Sequence, residues 1–116
     1  MNIEDIQDIC KKLPAVTEDV KWENHLCFCV GGKMFLILGL DQHPTTSSFK
    51  VPDEEFDEIT GGEGFKPAQY LARYKWVWTD DINRMSKKEW ERYISQSYEL
   101  IKSKLSKKTI KQLGID

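Results

Sequence analysis

Tyr70, Arg73, Tyr74, Lys75, Trp76 and Trp78 fall within nine consecutive positions, and no other stretch of the chain is so well equipped for recognition chemistry. Flat aromatic faces set among guanidinium and ammonium groups are the mixture that holds single-stranded nucleic acid. Bases stack on the rings while the cations follow the phosphates. In an extended segment Trp76 and Trp78 share one face, and Lys75 and Val77 the other. Burial of the tryptophan pair under helices is the expected arrangement, because an indole is a large apolar body and a sheet needs a covered face.

Other reactive side chains carry less. His25, Cys27 and Cys29 alternate along one strand face, but flat spacing of about 6–7 Å suits a tetrahedral metal poorly, and no second ligand pair completes a site. They read as small buried groups, and no metal or other cofactor is expected. Glu4, Asp5, Asp8, Asp53, Glu54, Glu55, Asp57 and Glu58 could form an acidic surface, although Asp53 to Glu55 already suit the positive end of a helix dipole. The chain has no nucleophile elbow, phosphate loop or metalloprotease signature, so catalysis is not expected.

Cations are unevenly distributed. Residues 1–64 carry five Lys or Arg against thirteen Asp or Glu, whereas residues 65–116 carry twelve against six, within a net charge of −2. A locally basic surface attracts polyanions whatever the total charge. The phosphate-contact candidates are Arg73, Lys75, Arg84, Lys87, Lys88, Lys102, Lys104, Lys107, Lys108 and Lys111. The alternative is that the two halves attract each other or that these charges are solvated faces, and a sequence pI of about 5.7 is low for a dedicated nucleic-acid binder.

The elements that must position these residues follow from periodicity. The 116 residues suffice for one domain with one core. Ile3, Ile6, Ile9, Cys10 and Leu13 form a helical stripe that Asn2 can cap and Pro14 ends. Ala15 to Lys21 reads as a polar connection, with a first strand beginning near Val20 or Trp22. Leu26 to Val30 and Lys33 to Leu40 are strands joined by Gly31-Gly32, whose free φ suits a two-residue hairpin turn. The second is apolar on both faces and belongs at the sheet's centre. Ser47 to Val51 is a shorter strand, and Pro52 with Asp53-Glu54-Glu55 starts a helix that Thr60-Gly61-Gly62-Glu63-Gly64 breaks. Pro67 to Tyr74 reads as a further short helix and Lys75 to Thr79 as a strand. Ser86 with Glu89 makes a capping box before the stripe Trp90, Tyr93, Ile94, Tyr98, Ile101 and Leu105. Residues 106–113 form a lysine-rich tail that can add a turn or two of helix. The order is α-β-β-β-α-β-α, a two-layer α+β domain with an antiparallel sheet covered by helices on one side. Trp90, Ile94, Tyr98 and Ile101 are expected to pack on a sheet containing Phe28, Phe35 and Ile37.

The longest apolar run, Met34 to Leu40, is too short for a membrane span, the acidic N-terminus is unlike a signal peptide, and three cysteines form no disulfide framework. A cytoplasmic location is expected.

Three segments resemble the MmcQ/YjbR family of small bacterial proteins: Leu13-Pro14-Ala15-Val16-Thr17-Glu18 after the first helix, the Val30-Gly31-Gly32-Lys33-Met34-Phe35 hairpin, and Ser97-Tyr98-Glu99-Leu100 in the long helix. Their order and spacing extend the resemblance over nearly the whole chain. One departure is Leu105-Ser106-Lys107-Lys108, where relatives often place a proline. The resemblance implies a fold akin to frataxin-like and secretion-chaperone-like domains, and a DNA-binding role. With the basic second half, this gives weak, mostly non-specific DNA binding and no membrane partner as the leading expectation. A protein-interaction or chaperone-like module is the second reading, and frataxin-like cation binding by the acidic half is the third.

Overall fold

Asn2 opens the first helix because its side chain accepts a hydrogen bond from the Asp5 amide while Asp5 accepts one from Asn2, both at 2.9 Å. In the computed structural model, which describes every residue from Met1 to Asp116, this helix is α1, Ile3–Lys11, and it buries Ile6, Ile9 and Cys10. Six strands follow in one antiparallel sheet: β1 (Val16–Lys21), β2 (His25–Val30), β3 (Lys33–Gly39), β4 (Ser47–Lys50), β5 (Phe65–Pro67) and β6 (Trp76–Thr79), in the spatial order β1-β2-β3-β4-β6-β5. Helices α2 (Asp53–Thr60), α3 (Lys87–Lys102) and α4 (Lys107–Leu113) complete the chain, with single 3₁₀ turns at Ala72–Tyr74 and Ile82–Arg84. The α+β, antiparallel architecture matches the sequence expectation, and β3 is central as its two apolar faces required.

Gly31 and Gly32 take φ of 59° and 80°, which is why the β2–β3 turn needs glycine. The register places Phe28 opposite Leu36 and Cys29 opposite Met34, so Phe35 is an extra residue on β3. Such a bulge turns two consecutive side chains toward one side of the sheet. Phe35 thereby meets the Tyr98 ring edge-on at 5.4 Å, while Phe49 of β4 meets Trp90 at 5.6 Å. The capping box at Ser86 and Glu89 starts α3 as expected, and Trp90, Ile94 and Tyr98 are essentially fully buried. Trp90 also donates its indole N–H to the Ile82 carbonyl at 2.8 Å.

All three longer helices share one side of the sheet. Tyr98 on α3 donates to the Pro14 carbonyl just beyond α1, and Arg92 and Gln96 reach Glu55 on α2 at 3.0 and 2.7 Å. The helix-facing residues are Phe28, Leu36, Phe49 and Val77, which stand opposite one another across four strands. Ile37 pairs with Cys27 and Ser48 one step along, so it belongs to the reverse face, contrary to its expected contact with α3.

Three further expectations change. Val16–Lys21 is a strand rather than a connection; it is an edge strand, so its exposed, polar pattern hid it. Phe65–Pro67 is also a strand, at the other edge, where a proline is tolerated because one side of the ladder is open. Between Pro67 and Tyr74 only one 3₁₀ turn forms instead of a helix. No helix is long and apolar enough to cross a membrane.

Candidate nucleic-acid interface

Strand register sorts the loops to two ends of the sheet. Val16 pairs with Val30, Lys33 follows across the turn, and Lys50 pairs with Trp76; these residues mark one end. Lys21 pairs with His25, His25 with Gly39, and Ser47 with Thr79, marking the other. Helices α1 and α3 run the same way. Both begin beside Ile82 and the Pro44–Thr45 loop, and both finish at the hairpin end, where Leu105 and Thr109 pack against Gly31.

This geometry regroups the charge. Lys11, Lys12, Lys33, Lys50, Arg73, Lys75, Lys102, Lys104, Lys107 and Lys108 all fall at the hairpin end, ten of the seventeen Lys and Arg residues. Asp53 and Glu54 at the start of α2, Asp8 one turn before Lys11 and Lys12, Glu99 one turn before Lys102, and Glu18 beside Lys11 are acidic groups near them. The other end collects Glu4, Asp5, Glu23, Asp41, Glu63, Asp80 and Asp81. Of the candidates drawn from the sequence, Arg73, Lys75, Lys102, Lys104, Lys107 and Lys108 are brought to one end, and Lys111 lies one turn further along α4. Lys87 and Lys88 stand at the start of α3, about 25 Å of helix from Lys104 at 1.5 Å per residue. They therefore do not share a surface with the others. Arg84 is at their end too, and its guanidinium is held by Asp80 at 2.7 and 3.2 Å. That pairing holds the Asp80 carboxyl below its ordinary pKa and raises that of Arg84.

The three ion pairs of the molecule engage the N-terminus, Arg84 and Arg92, so none of the hairpin-end cations has a carboxylate partner. Sequence reasoning missed Lys11, Lys12, Lys33 and Lys50, and of these Lys50 is set apart by its surroundings. It is buried, and its ammonium donates to the Tyr74 carbonyl. Burial lowers its pKa, Lys104 and Lys75 lower it further, and Asp53 opposes them. The only sequence signal was its place as the last residue of a strand ending at this edge.

The aromatic residues divide in an unexpected way. Trp76 and Trp78 stand on the reverse face of the sheet, away from the helices, because Val77 between them pairs with helix-facing Phe49. Trp76 is buried all the same, as the segment from Ala68 to Lys75 wraps it through bonds from the Ala68 amide to the Trp76 carbonyl and from the Trp76 amide to Leu71. Trp78 is half-buried beneath the Lys66 ammonium, 4.4 Å from the ring centroid. The tyrosines are the displayed rings: Tyr70 is 88% exposed and Tyr74 47% exposed. Arg73 stacks over Tyr74 at 4.8 Å and donates to its hydroxyl at 2.8 Å.

His25, Cys27 and Cys29 do share one face, but His25 is engaged edge-on with Trp22 and both thiols are buried. Burial pushes Cys27 up to about 11 and Cys10 up to about 12, so neither is a ready thiolate. No three His, Cys, Asp or Glu side chains converge in an arrangement able to hold a metal ion.

The YjbR family model matches residues 11–100, which spans β1 to most of α3. The chain belongs to the YjbR family. Among solved structures, the Deinococcus radiodurans protein DR2400, described by the domain DUF419, superposes with a TM-score of 0.87 at 24% identity, covering 99% of this chain and 89% of that one. A Pseudomonas syringae protein superposes with a TM-score of 0.71 at 20% identity, covering 87% and 99%. None of the curated proteins matches the chain. The YjbR fold thus accounts for the sheet, the three helices on one face and the loops that carry the basic end.

Proposed function

We propose that this YjbR-family chain is a non-catalytic nucleic-acid-binding protein that docks through the hairpin end of its sheet. The observation that carries the reading is the regrouping of charge: ten cations gather at one end, without a carboxylate partner among them. Seven of the ten are exposed, and unpaired, exposed cations are the groups that phosphates can neutralise with release of condensed counterions. Buried free thiols fit a reducing cytoplasm as the place of action. The acidic far end opposes binding at long range, so affinity at physiological salt is set in the micromolar class, mostly without sequence preference.

The test compares two triple variants by salt titration from 50 mM upward on a labelled DNA duplex. Lys104→Gln with Lys107→Gln and Lys108→Gln is expected to weaken binding at least tenfold and to flatten the salt slope by roughly 0.9 for each phosphate no longer neutralised. Arg84→Gln with Lys87→Gln and Lys88→Gln, at the far end, is expected to leave both nearly unchanged. Absence of binding by the wild type at 50 mM salt refutes the reading.

One observation favours a second role, as a protein-interaction module. The outer edge of β1 is unpaired, and beside it Val20 is 53% and Trp22 64% exposed. An open strand edge with apolar neighbours can receive a partner's strand. Val20→Lys with Trp22→Ser would then abolish partner co-purification and leave DNA binding intact.

A further inference from the structure

Tyr70 sits in a conformation that is unfavourable for its residue type. Its φ is +69°, a region glycine and asparagine adopt far more readily than a bulky aromatic. Such backbone strain, when present, clusters at ligand-binding positions. The ring gains little packing in return, since it is the most exposed large hydrophobic side chain of the molecule at 88%. Four residues on, Tyr74 shows nearly half its surface with Arg73 stacked across its ring. The backbone between them is ordered by bonds from the Leu71 amide to Ala68 and from the Tyr74 amide to Leu71, and Lys50 clamps the Tyr74 carbonyl from the sheet. Two displayed rings are therefore held on a fixed segment at the hairpin end, beside Arg73, Lys75 and Lys50.

A duplex has no use for such rings. Its base faces are already stacked on one another, and only base edges and phosphates remain accessible. A single strand, by contrast, offers base faces that stack on aromatic side chains. Resting on the nucleic-acid reading above, we infer that the strand this protein takes is single, with bases stacking on Tyr70 and Tyr74 while Arg73, Lys75 and Lys104 hold the phosphates.

Fluorescence anisotropy with three labelled probes tests the inference: a 15-nucleotide oligothymidylate, a 15-base-pair duplex and an abasic 15-mer of the same backbone. Wild type is expected to hold oligothymidylate more tightly than the abasic strand at equal salt. Tyr70→Asn, which tolerates the left-handed backbone and touches no core residue, is expected to weaken oligothymidylate binding about tenfold, the size of one lost base–aromatic stack. Its salt slope and its abasic and duplex binding stay as in wild type. Tyr70→Phe keeps the ring and is expected to restore oligothymidylate affinity to within about twofold. Should Tyr70→Asn change nothing, or weaken all three probes equally, the single-strand inference falls and the polyanion reading stands. If no probe binds at 50 mM salt, both fall together.

Discussion

Ser97 joins β3 and β4 just beyond Leu36 and Phe49, the last pair of their ladder. Its hydroxyl donates to the Phe35 carbonyl at 2.6 Å and accepts from the Lys50 amide at 3.0 Å, all in the buried core. Removing it orphans two buried backbone groups, so Ser97→Ala is expected to lower stability by about 1–3 kcal/mol in urea denaturation; an unchanged midpoint would contradict this account. The sequence motif containing Ser97 was visible, but its task was not, because the task depends on which strand ends lie side by side, and only strand register reveals that. Cys10 illustrates a different residue-scale effect. Burial, with a contribution from Glu18, lifts its pKa from 9.0 to about 12. A thiol whose folded pKa lies above its unfolded value favours folding fully below pH 9, and this contribution is lost as pH rises from 9 through about 12. Tyr98, also raised by burial, adds to the same alkaline limb. The urea midpoint is expected to fall between pH 8 and pH 11, and less steeply in Cys10→Ala. At pH 8 the native protein should release almost no thiolate to a disulfide reagent, while the unfolded protein releases three equivalents, one for each free cysteine.

At the scale of elements, legibility followed burial. Helix α3 was readable because a buried apolar stripe with a capping box has few alternative conformations to signal. β2 and β3 were readable because both faces are covered or crowded and a Gly-Gly turn fixed their register. β1 was not: with Thr17, Glu18, Asp19 and Val20 all exposed, nothing in its side chains distinguishes an edge strand from a loop. β5 was hidden in the same way by its brevity and its proline. Ile94 lies at the centre of α3 and is completely buried. Ile94→Asp places a lone charge in that layer and is expected to abolish the cooperative thermal transition, read by circular dichroism. Trp78→Phe, half-buried on the far face, should shift the transition only modestly.

For the whole molecule, the charge asymmetry read along the chain was real, but its axis was wrong. Sequence divides the charges into an acidic first half and a basic second half. The fold instead divides them by end, recruiting Lys11, Lys12, Lys33 and Lys50 from the acidic half and leaving Arg84, Lys87 and Lys88 behind. Direction along each strand and helix decides the outcome, and direction in space is absent from composition. A body with unlike ends also has a consequence for itself. At low ionic strength, the basic end of one copy complements the acidic end of the next, and a head-to-tail contact of this kind whose rotation does not close a ring is expected to add copies without limit. Near the pI of about 5.7, where net repulsion vanishes, such open chains should grow most readily. The sedimentation coefficient is expected to rise with protein concentration in 10 mM salt and to become concentration-independent near 0.15 M, where the screening length shrinks to about 8 Å. Polymerisation and nucleic-acid capture would then compete for the same exposed cations, and a short oligonucleotide should act as a chain terminator.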